Sequence, residues 1–212
     1  MLLEREREVE ALREVIAGAA AGSGGIAVVE GDPGIGKTTL LDAARELAVE
    51  HGLDALGARG GELERDLTFG VARQVLEARV RDGGVRGAAR AAAPILGLAE
   101  QEGEADEPSI VHGLYWACAD LAAGGPLCIA VDDAHWADAA SLRWLVYLAR
   151  RLEEVPVALL VAARTGEPGA PQSLLDALAE QARARSRLLQ PSALTAPASE
   201  ALVRSEAGPD AD

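Results

Sequence analysis

Ile26-Ala27-Val28-Val29-Glu30-Gly31-Asp32-Pro33-Gly34-Ile35-Gly36-Lys37-Thr38-Thr39-Leu40-Leu41 is the stretch that decides the fold. Its first five residues form a short apolar run bounded by glycines, which predicts a buried strand. Gly31 to Thr38 then match the pattern G-x-x-x-x-G-K-[ST]. From Thr38 to Glu50 the apolar residues Leu40, Leu41, Ala44 and Leu47 recur at helical spacing. Strand, glycine loop and helix in this order make a phosphate cradle. Gly31, Gly34 and Gly36 let the main chain approach without a Cβ clash, and successive N–H groups and the helix N-terminus face the anion. Lys37 is the only lysine among the 212 residues, and arginine serves everywhere else. A guanidinium is a wide planar fork, whereas an ammonium is a compact point charge on a flexible stem that can fold over a phosphate-wrapped loop.

A second informative stretch is Leu127-Cys128-Ile129-Ala130-Val131, a buried strand that closes on Asp132-Asp133. An acid pair at a strand end is most often a solvated terminus, but a phosphate loop upstream reverses that reading. Lys37 is expected to bridge the β- and γ-phosphates of a nucleotide, with Thr38 and Asp132 holding Mg²⁺ through hydroxyl and carboxylate oxygens. Asp133 is the candidate base that orients the attacking water and accepts its proton. Arg164, at the end of the apolar run Val157 to Ala163, is placed by topology to reach the γ-phosphate. His135 is either a water-orienting group or a packed, satisfied side chain, and Trp136 reads as an apolar wedge.

The remaining chain supplies an α/β frame. Residues 4–20 carry Val9, Leu12, Val15 and Ile16 at helical spacing, an amphipathic helix broken by Gly22-Ser23-Gly24-Gly25. Further strands are expected at Leu53 to Ala58, Val157 to Ala163 and Leu188-Leu189. Helices are expected at Phe69 to Val80, from Pro108, from an Asp138 N-cap, and at Pro171 to Arg185. The expected architecture is a doubly wound, mostly parallel five-stranded sheet with flanking helices, the P-loop NTPase arrangement. Residues 1–190 form the expected domain, with an opening helix in 1–22 and an irregular Gly/Ala and acid-rich tract at 82–107.

The loop stretch, together with Val131-Asp132-Asp133-Ala134-His135-Trp136-Ala137-Asp138, resembles the AAA-type, origin-recognition-like ATPase domain of large LuxR-type bacterial regulators. Leu3-Glu4-Arg5-Glu6-Arg7-Glu8, Gly60-Gly61-Glu62-Leu63-Glu64-Arg65 before Phe69-Gly70, and Ala163-Arg164 agree with it. The resemblance covers nearly the whole chain. It implies a signal-transducing ATPase in which ATP and ADP set assembly, with a DNA-binding helix-turn-helix beyond the ATPase module. ATP or ADP with Mg²⁺ are the implied cofactors, bound by Gly31, Asp32, Pro33, Gly34, Ile35, Gly36, Lys37, Thr38 and Thr39. Self-association or other regulator subunits are the implied partners. Residues 191–212 are expected to be the truncated start of a helical lid. Asp133 stands where related ATPases carry glutamate, one methylene longer, so a weak ATPase is expected.

Composition narrows the alternatives. Twenty basic against 34 acidic residues give a formal charge of −14 with no basic cluster, which argues against direct binding of nucleic acid or an anionic membrane by this segment. Glu4-Arg5-Glu6-Arg7-Glu8 follows Met1-Leu2-Leu3 directly, and the longest apolar stretch, Val155 to Ala163, is too short to span a bilayer, so a cytoplasmic location is expected. Cys118 and Cys128 read as buried hydrophobes rather than a disulfide or metal pair. The chain has no asparagine and no second lysine, which removes the N-K-x-D guanine-reading motif and its T-K-x-D variant. A P-loop small-molecule kinase and a truncated, non-hydrolysing interaction module are the alternative functions.

Overall fold

The computed structural model describes residues 2–81, 84–98, 106–185 and 187–207. Five strands, β1 (Gly25–Glu30), β2 (Asp54–Arg59), β3 (Leu127–Asp132), β4 (Val157–Ala163) and β5 (Leu188–Leu189), form one sheet of order β2-β3-β4-β1-β5. Every pairing is parallel. The helices are α1 (Glu6–Ala20), α2 (Lys37–Glu50), α3 (Gly70–Val80), α4 (Glu107–Ala123), α5 (Ala139–Ala149), α6 (Gln172–Arg183) and α7 (Ala196–Ala207).

The period-two alternation of the strands divides the core into two layers. Ile26, Val28, Ile129, Val131, Leu159 and Val161 face a large cluster shared with α3, α4, α5 and α6. Ala27, Cys128, Ala130, Ala158 and Ala162 face the other way, against α1 and α2. Small side chains on that face let the two helices lie close to the sheet. All seven residues of β4 are buried, as a strand covered on both faces requires.

β4 lies between β1 and β3, so the strand ending in Arg164 separates the P-loop strand from the strand ending in Asp132. β2 runs one residue further than the apolar pattern suggests, because Arg59 pairs in register with Asp132. This brings an arginine to the same carboxyl rim. In the tract at 82–107, a 3-10 segment at Gly87–Ala92 buries Ala89 and Ala92 beneath α4. Gly113 allows that approach, since a Cβ there would lie 2.8 Å from the Ala92 nitrogen. Residues 82–83 and 99–105 of the tract lie outside the described residues.

The first turn of α3 has no cap of its own. Its flanking residue Phe69 sits in the left-handed region at φ 60°. The Asp138 carboxylate accepts from Phe69 N (2.8 Å) and also caps α5 through Ser141 N (2.8 Å), while Ser141 Oγ accepts from Ala72 N (3.0 Å). One buried carboxylate thus satisfies two helix starts.

Candidate functional site

Gly34 and Gly36 adopt φ 77° and 96°, left-handed angles that cost an ordinary residue about 1 kcal/mol or more. No atom lies within 4 Å of where their Cβ atoms would be. The loop is therefore an open backbone cradle ending at the N-terminus of α2. Lys37 is buried, and its Nζ donates to the carbonyl oxygens of Gly31 (2.9 Å) and Asp32 (2.8 Å). An ammonium has three N–H donors, so one remains for an anion in the cradle. Burial, and then the nearby charge of Arg164, push the Lys37 pKa below its ordinary value, while Asp133, Asp132 and Asp32 oppose that shift. A polyphosphate is the natural counter-charge for a cation so placed.

Thr38 Oγ1 donates to Asp132 Oδ2 at 2.8 Å, across 94 positions of sequence. A hydroxyl and a carboxylate side by side at the rim are the hard oxygen donors that Mg²⁺ takes, and with the adjoining glycine cradle they fit a metal bound to phosphate. Asp132 Oδ1 accepts from Asp133 N (2.9 Å), which fixes the carboxylate.

Pro33, Gly34, Gly36, Lys37, Thr38, Thr39, Arg59, Asp133 and Arg164 line one depression of about 320 Å³. Asp133 is nearly buried, at φ 46°, in the left-handed region. Its Oδ2 accepts from Arg59 Nε (2.9 Å) and Nη2 (2.5 Å), and this pairing raises the Arg59 pKa. Its Oδ1 faces His135 Nε2 at 3.8 Å. The fully buried His135 ring accepts from Arg164 N through Nδ1 (3.2 Å), which places the proton on Nε2, toward Asp133. Burial holds His135 below its ordinary pKa, against the pull of Asp133. The Arg164 guanidinium lies 4.6 Å over the Trp136 ring and pairs with Glu167 at 3.6 Å. The Trp136 ring thus carries the Arg164 guanidinium on its face.

Three contributors were not singled out as site residues in the sequence. Arg59 carries no local pattern, because its contact with Asp133 spans 74 positions. Gly60 packs against the Asp133–Ala137 turn, where a Cβ would sit 2.3 Å from the Asp133 carbonyl oxygen. Arg5 is buried and donates to the carbonyl oxygens of Glu4 (3.0 Å), Ile35 (3.2 Å) and Ser192 (2.8 Å). It borders a second depression of about 380 Å³, lined also by Leu2, Leu3, Thr39, Leu194 and Leu202, which shares Gly34, Gly36 and Thr39 with the first. The two depressions adjoin along these loop residues, a groove in two parts. Among the described residues, no cluster of three or more His, Cys, Asp or Glu side chains is set to hold a metal alone, and no helix is long and apolar enough to cross a membrane.

The sequence model of the AAA ATPase domain matches residues 1–161, and the chain belongs to that family. A structure of Drosophila ORC bound to DNA contains a chain similar to this one, at 16% identity and TM-score 0.55, over 96% of this chain and 46% of that one. A structure of C. elegans PCH-2 is similar at 9% identity and TM-score 0.49, over 98% and 48%. The chain thus spans about half the length of these solved structures. No curated protein sequence matches it. Family and fold together make this an α/β P-loop ATPase domain for which nucleotide is the plausible ligand.

Proposed function

We propose that the chain is an ATP-binding module with slow Mg²⁺-dependent hydrolysis, working as a nucleotide switch within a bacterial transcriptional regulator. The observation that carries the reading is the shared depression in which Lys37, Thr38, Asp133 and Arg164 meet a left-handed glycine cradle. Lys37 and the loop N–H groups hold the phosphates. Thr38 and Asp132 hold Mg²⁺, which when bound neutralises charge on the phosphate oxygens. Asp133 orients water and takes its proton, while His135 Nδ1 holds the Arg164 backbone N–H beside it. The second depression takes the adenine, its apolar side chains against the base, and the helical lid that begins at residue 191 covers it with Leu194, Ser199 and Leu202, residues 208–212 lying outside the described ones. Support for the regulator setting is the resemblance carried by the Asp132 to Asp138 stretch and by Glu4-Arg5-Glu6.

One observation favours a non-hydrolysing module instead: both bonds from Arg59 occupy Asp133 Oδ2. Calorimetry with Mg-ATP and Mg-ADP on wild type and Lys37→Ala tests the binding. Micromolar affinity lost in the variant is expected, and equal affinity in the two would sink the site. Phosphate release compared with Asp133→Asn separates the readings, since equal rates leave a binding module only.

A further inference from the structure

The chain entering and leaving β5 is fastened to the N-terminal segment and to the end of β1 at successive points. Arg187 donates to the Ala11 carbonyl oxygen (3.1 Å) and pairs with Glu14 (3.1 Å). Gln190 reaches Glu30 (3.4 Å), and Ser192 accepts from Arg5. The last fastening is Glu4, whose Oε2 accepts from Thr195 N (2.9 Å) and whose Oε1 accepts from Thr195 Oγ1 (2.5 Å). Thr195 precedes α7, and its carbonyl oxygen accepts from Ser199 N (2.9 Å). The Glu4 carboxylate therefore sits on the N-terminus of α7, where a negative charge is favourable.

Two features make this more than surface ornament. Glu4 adopts φ 55°, a left-handed backbone that an ordinary side chain takes only under compensation. Arg5, next in sequence, joins three segments far apart in the chain: its own turn, the P-loop at Ile35 and the strap at Ser192. The groove under this junction is walled by Ile35 on one side and by Leu194, Ser199 and Leu202 on the other. Separating α7 from the P-loop breaks the Glu4 bonds and opens that wall.

We propose that Glu4 and Thr195, with Arg5 beneath them, form a latch that holds α7 against the P-loop and sets how fast an adenosine di- or triphosphate leaves the groove. The latch rests on the nucleotide-binding reading above and adds to it the control of release. It acts on the base end of the groove, apart from Lys37, Asp132 and Asp133 at the phosphate end. Thr195 contributes both its N–H and its hydroxyl to one carboxylate, so the pair behaves as a unit. Glu4→Ala removes both bonds, whereas Thr195→Ala removes the hydroxyl bond and keeps the main-chain N–H, so losing both side chains costs little more than losing Glu4 alone.

The test is displacement of a fluorescent ADP analogue by excess ADP from wild type, Glu4→Ala, Thr195→Ala, the double variant and Glu4→Gln. Release is expected roughly tenfold faster in Glu4→Ala, which loses both charge-assisted bonds, and about threefold faster in Thr195→Ala, which keeps the N–H bond. The double variant should be no faster than Glu4→Ala, and Glu4→Gln, which keeps one neutral acceptor and loses the charge, should fall between wild type and Glu4→Ala. Hydrogen exchange in α7 should rise most in Glu4→Ala and less in Thr195→Ala and Glu4→Gln. Should Glu4→Ala fail to fold because of its left-handed backbone, Thr195→Ala carries the comparison alone. Unchanged release in Thr195→Ala, or effects that add in the double variant, overturns the latch while leaving nucleotide binding intact. Failure of wild type to bind the analogue overturns both.

Discussion

Asp133 is held from two directions, by Arg59 on one oxygen and by a left-handed backbone that Gly60 permits to lie so close to β2, while its other oxygen faces the unpartnered His135 Nε2 at 3.8 Å. A base must offer a lone pair to water, and an arginine on Oδ2 withdraws one. Arg59→Ala is therefore expected to raise phosphate release at saturating Mg-ATP by roughly fivefold, the worth of a pair with one partner mostly in solvent. A fall in rate would instead assign Arg59 to the phosphates. His135 makes a different prediction. Its folded pKa lies below the ordinary 6.5, so the unfolded chain takes up the proton first as pH falls through that value. Stability then declines on acidification below that point and is level above it. Urea midpoints measured at about pH 5 and about pH 7.5 should differ less in His135→Gln than in wild type, because the variant cannot titrate there.

Among the elements, the start of α3 depends on a residue of another helix. Asp138 accepts from Phe69 N and Ser141 N through the same oxygen and reaches Val71 N at 3.4 Å. Asp138→Ala should cost about 3 kcal/mol in urea denaturation, more than a simple cap, because buried donors on two helices lose their partner. Asp138→Asn keeps that oxygen and should cost less than half as much. The cap on α5 was legible in sequence, since Asp138 and Ser141 stand three residues apart before an apolar run. The service to α3 was not, because nothing local links positions 138 and 69. The same division holds at the site. Strand, loop and helix around Lys37 were readable, being local and periodic. The register of β2 was not, because its pairing partner lies 73 residues away at Asp132. Arg59 was hidden for that reason.

At the scale of the molecule, both cysteines lie inside the packed layers. Burial pushes the thiols of Cys118 and Cys128 up to about 12, so neither carries thiolate at neutral pH. Labelling by a thiol reagent should follow global unfolding, with both cysteines reacting at one common rate that slows when Mg-ADP is added. Prompt labelling of either in native buffer would mean that its layer opens locally. The overall plan, five strands with helices on both faces, could be read from the alternation of elements, and the family match over residues 1–161 agrees with it. What sequence could not supply was the strapping of residues 187–195 to the N-terminal segment, made of side-chain contacts spanning 160 to 191 positions.

The exposed rim of β2 has a consequence for how copies of the chain meet. β2 is an outer strand, and an outer strand offers unpaired backbone groups to any passing chain. Here the Gln74 amide imitates a neighbouring strand: its oxygen accepts from Arg59 N (3.0 Å) and its nitrogen donates to Arg59 O (3.2 Å). At the opposite margin, β5 offers only two paired residues. With one margin plugged at its carboxyl end and the other cut short, continuous strand-by-strand growth of the sheet is discouraged. Helices and loops, rather than open strand margins, are left as the surfaces with which the domain can meet another protein.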